Sequence, residues 1–317
     1  MKPPHSIQIT ALGSYAPPKV VTNTALKDLV DTSDEWIQSH TGIQERHIAQ
    51  QDMSTCDMAY LSIEDLLKTH NKEASEIDGI ICATATADYP GFPSVACMLA
   101  ERLGTTGPAM DISAGCTGFI YALEVARSMI ASQSMKNALV VGSEKLSSVI
   151  DWKDRNTCVL FGDGAGCALL EAKDEGIGIM DTYLKAEAAG SKALVINPQT
   201  RAIEMDGRAV YAFAVRTIGQ TIETLVKRNN LSLDEIDWIV PHQANKRIIT
   251  ACAKRFEIQE EKFYMNIQHY ANTSAASIPI ALKEMEQKGL LKEGQKILLV
   301  GFGAGLTYGG TLLTWHQ

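Results

Sequence analysis

The sequence of 317 residues predicts a layered α/β sandwich made of two related halves. Three observations lead to this fold class: short continuous apolar runs of strand length, amphipathic segments with helical spacing between them, and an internal repeat at one fixed offset. Apolar strands separated by helices are typical of parallel or mixed sheets covered on both faces. With 45% hydrophobic and 21% charged residues, the chain can bury enough apolar surface to form a core.

The repeat pairs segments of the first half with segments 159 residues further along the chain. EIDGIICATAT from Glu76 corresponds to EIDWIVPHQAN from Glu235, and ALVVG (138–142) corresponds to ILLVG (297–301). DLLK (65–68) and TLVK (224–227) share that offset. We therefore predict two copies of one unit, 1–171 and 172–317. They should form one rigid body, because no flexible linker separates them.

Within each unit, helices and strands are predicted to alternate. Residues 57–69 and 211–228 carry apolar side chains at helical spacing, and each segment is followed by a short apolar run, IDGIICA or IDWIVP. A second helix (119–130 and 275–285) and a second strand, ALVVG or KILLVG, follow in each unit. These periods of 3.6 residues and of strand length predict the two kinds of layer.

Composition excludes several classes of protein. No run of eighteen apolar residues could span a membrane, and the N-terminal residues lack the continuous apolar stretch of a secretory signal. The seven cysteines contain no CxxC pair, which argues against a zinc site or a disulfide framework and for reduced thiols in the cytoplasm. The net charge of −8 disfavours non-specific nucleic-acid binding.

Cys116 is the strongest candidate nucleophile. It follows DISAG and opens an amphipathic segment, so that it is expected at a helix N-terminus. Unpaired backbone N–H groups and the positive end of the helix dipole would then favour the thiolate. A buried structural cysteine is the alternative, and on spacing alone the two interpretations are about equal.

His242 and Asn272 are the next candidates. His242 follows the buried strand IDWIV at its carboxyl end, where open α/β sheets present ligand-binding residues. Asn272 precedes a helix in the second unit, where it could serve as an N-cap or donate a hydrogen bond to a developing oxyanion. The glycines of GFGAGL (301–306) would let backbone N–H groups approach a ligand.

These segments resemble the β-ketoacyl-acyl-carrier-protein synthase III family of the thiolase superfamily over the whole length of the chain. The resemblance is carried by DTSDEWIQSHTGIQERHIA (31–49), GFPS (91–94), DISAGCTGFIYAL (111–123), DRNTCVLFGDGAG (154–166), PHQANKRI, NTSAASIP and GFGAGLTYGG. It implies a thiolase-like, five-layered αβαβα sandwich, which agrees with the duplicated unit. It also implies that no cofactor or metal takes part, because acyl-CoA and malonyl-acyl carrier protein are both substrates.

The resemblance implies a role for each candidate residue. Cys116 would take the acyl group from a primer, most simply acetyl-CoA. His242 and Asn272 would stabilise the enolate formed when malonyl-acyl carrier protein loses carbon dioxide. The backbone amides of Cys116 and Ala304 would form the oxyanion hole. The reaction would be the decarboxylative condensation that initiates fatty acid synthesis.

The resemblance also implies binding residues around this centre. Trp36 and Arg155 would clasp the adenine of coenzyme A, and Arg208 would assist with its phosphates. Phe92 would line the acyl pocket of the partner in a homodimer. Acyl carrier protein would dock on the basic residues Lys246, Arg247, Lys254 and Arg255, although a solvated helix face is the alternative.

Two positions depart from the family pattern, and two other functions remain open. His40 stands where an arginine is usual, and Tyr308 replaces a common tryptophan. A family member that condenses or transfers acyl groups in secondary metabolism would share all these motifs. A module that only binds acyl chains or carrier protein is a different class of function, and the intact Cys–His–Asn set argues against it.

Overall fold

The computed structural model describes residues 6–316, and thirteen strands and eight helices lie within that range. The strands are β1 (Ser6–Tyr15), β2 (Val20–Thr22), β3 (Glu45–His47), β4 (Gly79–Ala83), β5 (Ala109–Ile112), β6 (Asn137–Glu144), β7 (Gly164–Lys173), β8 (Ile179–Ala186), β9 (Leu194–Ile196), β10 (Ile203–Met205), β11 (Trp238–Pro241), β12 (Lys296–Gly303) and β13 (Thr307–Thr314). The helices are α1 (Asp34–Thr41), α2 (Thr55–Thr69), α3 (Val95–Leu103), α4 (Gly118–Ala131), α5 (Gly207–Arg228), α6 (Lys246–Arg255), α7 (Ile267–Tyr270) and α8 (Ser277–Gln287).

Two main sheets and three helical layers make up the fold. The first sheet has the strand order β1-β7-β6-β4-β5, and the second has the order β11-β12-β13-β8. Helices α2 and α3 cover the outer face of the first sheet, α4 and α8 lie between the sheets, and α5 and α6 cover the outer face of the second. This is the predicted five-layered αβαβα sandwich.

The apolar runs are continuous because the side chains of each strand point alternately to the two faces of the sheet, and both faces are buried. In β4, Ile81 and Ala83 pack on the central helices, whereas Ile80 and Cys82 pack under α2 and α3. Successive side chains of a strand point to opposite faces, and here both faces are buried. Polar residues are therefore excluded from both sides of the strand.

The ladder register reproduces the offset of the sequence repeat. In the first sheet Gly79 of β4 pairs in parallel with Ala138 of β6, and in the second Trp238 of β11 pairs in parallel with Ile297 of β12. Each residue of the second pair lies 159 positions after its counterpart in the first. The division of the chain between residues 171 and 172 stays a prediction, and β7 runs two residues past it.

The predicted helices are present, and some of them begin earlier than predicted because a capping residue precedes them. Helix α5 begins at Gly207 rather than at 211, because the Asp206 side chain accepts hydrogen bonds from the backbone N–H groups of Arg208 and Ala209. Within residues 6–316, no helix combines the length and the apolar character needed to cross a membrane.

Candidate active site

Two adjoining cavities meet at Cys116. The smaller one, of about 170 Å³, is lined by Cys116, His242 and Asn272. The larger one, of about 330 Å³, is also lined by Cys116, and Phe161 and Leu194 form part of the wall of both. The fold therefore brings together, around one cavity, three side chains that the sequence places up to 156 residues apart.

Cys116 lies in a tight turn that precedes the central helix α4. Strand β5 ends at Ile112, and a 3₁₀ turn (Gly115–Thr117) carries the cysteine directly into α4. Gly115 takes a positive φ of 51°, which favours glycine. Opposite the cysteine, a Cβ on Gly303 would lie 2.7 Å from the Cβ of Cys116, so only glycine lets this segment pass so closely.

The prediction that Cys116 is a thiolate in the free protein is wrong. Cys116 is only 8% exposed, and burial raises the pKa of its thiol to about 11. The Ser274 hydroxyl and the backbone amides of Ala304 and Cys116 lower this pKa, while the nearby Glu144 charge raises it. Desolvation thus outweighs the favourable position at the helix N-terminus, which the sequence alone could not reveal. The two amides predicted as an oxyanion hole nevertheless lie beside the sulfur.

His242 follows β11 and is held on one side of its ring. Its backbone N–H donates to the Val300 carbonyl at 2.7 Å, and its Nδ1 lies 2.8 Å from the Oγ of Ser277. Burial lowers the pKa of the imidazole to about 3, so the ring is neutral at physiological pH. The edge of the ring packs against Phe302, with 5.2 Å between ring centroids.

Asn272 is fixed by the residues around it. Its backbone N–H donates to the Leu160 carbonyl at 2.9 Å, and its Oδ1 accepts a hydrogen bond from the Ser274 backbone N–H at 2.9 Å. Because Oδ1 is used in this way, the amide nitrogen is the group that Asn272 can offer to the cavity. The side chain is therefore oriented as a hydrogen-bond donor.

Three polar residues of this site were not singled out from the sequence: Ser274, Ser277 and Glu144. Both serines lie in SAAS (274–277), where small residues give no chemical signal. Glu144 ends the buried strand NALVVGSE. A charged residue at the carboxyl end of a buried strand is the kind of signal that identified His242, and it could have identified this carboxylate.

Trp36, Arg155 and His40 form an aromatic and cationic cluster on α1 and the segment 151–156. The Arg155 guanidinium lies 4.4 Å from the centroid of the Trp36 ring, and the His40 ring stacks on Trp36 at 4.3 Å with an interplanar angle of 18°. Asn245, which lines the smaller cavity, donates to the His40 carbonyl at 3.0 Å. This contact connects the cluster with the mouth of the cavity. Arg208, in the first turn of α5, is exposed.

The basic residues predicted for docking share one helix. Lys246, Arg247, Lys254 and Arg255 all lie on α6 and are exposed. The opposite face of α6, with Ile248, packs on the core under α5. The cationic groups therefore lie on the exposed face of the helix that begins directly after Asn245, a residue of the cavity wall.

Phe92 and Tyr308 lie in contrasting environments. Phe92 is 91% exposed, on the connection between β4 and α3. Tyr308, in β13, is partly buried and makes edge contacts with Tyr183 and Phe213, at centroid distances of 6.2 Å and 5.8 Å.

Among the residues that the structure describes, no cluster of three His, Cys, Asp or Glu side chains could hold a metal ion.

Comparison with known families and proteins gives consistent matches. Residues 110–188 match the family described as 3-oxoacyl-[acyl-carrier-protein (ACP)] synthase III, and residues 226–315 match the C-terminal model of that family. A protein of Geobacillus kaustophilus (strain HTA426), named beta-ketoacyl-[acyl-carrier-protein] synthase III, is 47% identical over 310 residues, covering 98% of this chain and 99% of that protein.

Solved structures agree with these matches. The crystal structure of 3-oxoacyl-[acyl-carrier-protein] synthase III from Aquifex aeolicus VF5 has a TM-score of 0.94 and 43% identity, and covers 98% of this chain and 100% of that one. The corresponding enzyme from Thermus thermophilus has a TM-score of 0.94 and 41% identity, with 98% and 99% coverage. The chain therefore belongs to the 3-oxoacyl-[acyl-carrier-protein] synthase III family of condensing acyltransferases.

Proposed function

We propose that this chain condenses an acyl-CoA primer, acetyl-CoA in the first instance, with malonyl-acyl carrier protein through an acyl group held on Cys116. The observation that carries the proposal is the shared cavity lined by Cys116, His242 and Asn272. Acyl carrier protein appears in the names of the relatives, and a CoA thioester is the primer that the family resemblance implies. No cofactor is needed for either half-reaction.

The first half-reaction transfers the acyl group. The Cys116 sulfur attacks the thioester carbonyl, the C–S bond to coenzyme A breaks, and coenzyme A leaves as a thiol. Between the attack and the departure of coenzyme A, the carbonyl oxygen of the thioester carries a negative charge. It is met by the backbone N–H groups of Cys116 and Ala304, which already lie beside the sulfur.

The second half-reaction makes the new carbon–carbon bond. The malonyl group loses carbon dioxide, and its thioester oxygen takes up the negative charge of the enolate. His242 and Asn272 donate hydrogen bonds to that oxygen, and the enolate carbon then attacks the acyl group and releases Cys116. For His242 this role requires the proton on Nε2, with Nδ1 accepting from the Ser277 hydroxyl.

The binding roles follow from the surfaces around the cavity. Trp36 and Arg155 bind the adenine of coenzyme A, and the exposed Arg208 can meet its phosphates. The Arg155 guanidinium lies 4.4 Å from the centroid of the Trp36 indole, so the two groups are in contact. An adenine between them needs roughly 3.5 Å on each side, and Arg155 must therefore move away when coenzyme A binds. The cationic face of α6 binds the acidic carrier protein.

We further propose a cytoplasmic homodimer. The second subunit follows from the family resemblance at Phe92, and the side chain of this residue is 91% exposed and so accessible to a partner. Reduced cysteines support the location: all seven are free in the structure. The division into halves 1–171 and 172–317 is part of the same proposal.

Intact-protein mass spectrometry after incubation with acetyl-CoA tests the proposed function. The parent should gain the mass of one acetyl group, mapped to the Cys116 peptide, and Cys116→Ala should gain none. Cys97→Ala is the matched control, because Cys97 is an exposed thiol outside the cavity and its removal should leave the adduct unchanged. An adduct that persists on Cys116→Ala would exclude Cys116 as the nucleophile, and a parent that never acylates would contradict the proposal and favour the binding-module function.

A further inference from the structure

Two threonines connect the turn that carries Cys116 with the hairpin that carries Ala304. Thr117 ends the 3₁₀ turn Gly115–Thr117, and Thr307 is the first residue of β13. Their hydroxyl oxygens lie 3.1 Å apart, although the two residues are 190 positions apart in the chain. Neither threonine has a part in the condensation described above, and neither was singled out from the sequence.

The hydroxyl of Thr307 reaches the backbone of both segments. It lies 3.2 Å from the Ala114 carbonyl in the first segment and 3.0 Å from the Ala304 carbonyl in the hairpin. The Thr117 hydroxyl in turn donates to the Thr307 carbonyl at 3.1 Å. Because each hydroxyl has one proton and can also accept, the two side chains form a small network that spans both segments.

The backbones of the two segments are in direct contact. A Cβ on Gly115 would lie 3.0 Å from the Cβ of Ala304 and 3.3 Å from its backbone nitrogen. A Cβ on Gly303 would lie 3.2 Å from the backbone nitrogen of Cys116. The two amides of the proposed oxyanion hole therefore come from neighbouring backbones that belong to different ends of the chain. Their spacing depends on whatever joins these two segments.

The threonine pair supplies the directional contacts at this junction. Within residues 6–316, every hydrogen bond between residues 114–117 and residues 303–307 involves the side chain of Thr117 or Thr307. The other contacts are the close approach of glycine and alanine residues, which resists compression but does not fix one relative position. A hydrogen bond weakens steeply when its geometry changes, so the pair restricts how the segments can shift.

We propose that Thr117 and Thr307 are positioning residues that set the distance between the two amides of the oxyanion hole. Such donors must lie about 2.7–3.1 Å from the place that the oxyanion will occupy. Thr307 lines the larger cavity, whereas Thr117 is fully buried and lines neither cavity at Cys116. An effect of changing Thr117 must therefore pass through the backbone. This inference rests on the proposed acylation of Cys116.

Single-turnover acylation, measured at a series of acetyl-CoA concentrations, tests the proposal. Thr117→Val and Thr307→Val keep the shape of the side chain and remove the hydroxyl. A misplacement of about 1 Å can cost roughly 10²-fold in rate, so we expect the maximal rate to fall by about 10-fold to 10²-fold in each variant. The concentration at half-maximal rate should stay unchanged, because the oxyanion exists only in the transition state and not in bound acetyl-CoA. Thr307→Ser keeps the hydroxyl and should retain most of the parental rate.

A double variant and a matched control separate positioning from support of the fold. If the two hydroxyls act as one connection, Thr117→Val combined with Thr307→Val should acylate about as fast as the slower single variant. Thr311→Val is the control: Thr311 is a fully buried threonine on the same face of β13, and its hydroxyl lies 3.5 Å from that of Thr182. Its maximal rate should equal that of the parent. All rates are expressed per folded molecule, from urea unfolding curves recorded in parallel.

Four results would overturn the proposal. Either valine variant could acylate at the parental maximal rate, or Thr307→Ser could be as slow as Thr307→Val. The losses of the single variants could multiply in the double variant, which would mean two independent defects. A higher concentration at half-maximal rate with an unchanged maximal rate would mark a contact with bound acetyl-CoA instead. A parent that forms no adduct would overturn the proposed function itself.

Discussion

The hydroxyl of Ser277 lies 2.8 Å from Nδ1 of His242, and this contact determines which edge of the imidazole faces the cavity. The same hydroxyl is 2.9 Å from the Ser274 carbonyl and 3.3 Å from the Gln243 backbone N–H. Because a serine has a single hydroxyl proton, it can donate either to the carbonyl or to Nδ1. In the second case Nε2 carries the proton that the proposed enolate contact requires.

Ser277→Ala should therefore impair condensation more than acylation. Loss of the hydroxyl leaves Nδ1 of a buried imidazole without this partner, so the ring is no longer held with Nε2 as a donor. We expect slower release of carbon dioxide from malonyl-acyl carrier protein, an unchanged acetyl adduct on Cys116, and rescue by Ser277→Thr. Ser62→Ala is the control, because the Ser62 hydroxyl makes the same kind of bond to the carbonyl three residues earlier, in α2. Equal losses in both half-reactions would contradict the orienting role.

His242→Ala and Asn272→Ala should each remove one donor from the enolate. Loss of a single preorganised donor of this kind costs on the order of 10²–10³ in turnover. Release of carbon dioxide should fall by about that factor in each variant, while the acetyl adduct on Cys116 still forms. Either variant condensing at the parental rate would exclude that residue from the proposed role.

Alkylation of Cys116 by iodoacetamide should depend steeply on pH. Burial raises the pKa of this thiol to about 11, so the reactive thiolate is scarce at pH 7 and its fraction increases with every rise in pH up to that value. A free cysteine, with a pKa of about 8.5, should level off much earlier. Peptide mapping after timed labelling measures the rate at Cys116 alone. A plateau near pH 7 would mean that the free protein already holds a thiolate.

Glu144 should make the protein less stable as pH rises. Its pKa is about 7 in the folded chain against 4.5 ordinarily, so the folded state binds the proton more tightly, and stability present below pH 4.5 is lost as pH rises to 7. The shift corresponds to about 3 kcal/mol. Urea unfolding of the parent and of Glu144→Gln at pH 5 and pH 8 isolates this contribution. We expect the parent to lose more free energy of unfolding between the two pH values, and an equal loss in both proteins would refute the assignment.

The sequence was sufficient for the elements whose signals are local or repeated. The offset of 159 residues reappears in the ladders of Gly79 with Ala138 and of Trp238 with Ile297. The cavity residues Cys116, His242 and Asn272 all follow strands or precede helices, so their positions were also predictable. The contacts that these three side chains make were not predictable, because the contacts depend on how deeply each side chain is buried.

Burial and long-range contacts account for the parts that the sequence did not reveal. The position of Cys116 before α4 suggested a lowered pKa, but its 8% exposure reverses the sign. Ser274 and Glu144 lie 130 residues apart in the chain and come near each other only because β6 packs against the turn that contains Ser274. Nothing in the local sequence NTSAAS indicates that this serine adopts a positive φ.

A chase experiment on the acylated protein tests the central claim most directly. The enzyme is loaded with isotopically labelled acetyl-CoA, freed of excess substrate, and mixed with malonyl-acyl carrier protein. If Cys116 holds the primer, the label should leave the Cys116 peptide at the rate at which labelled β-ketoacyl-carrier protein appears. Product that forms while the label stays on the enzyme would contradict the acyl-cysteine pathway.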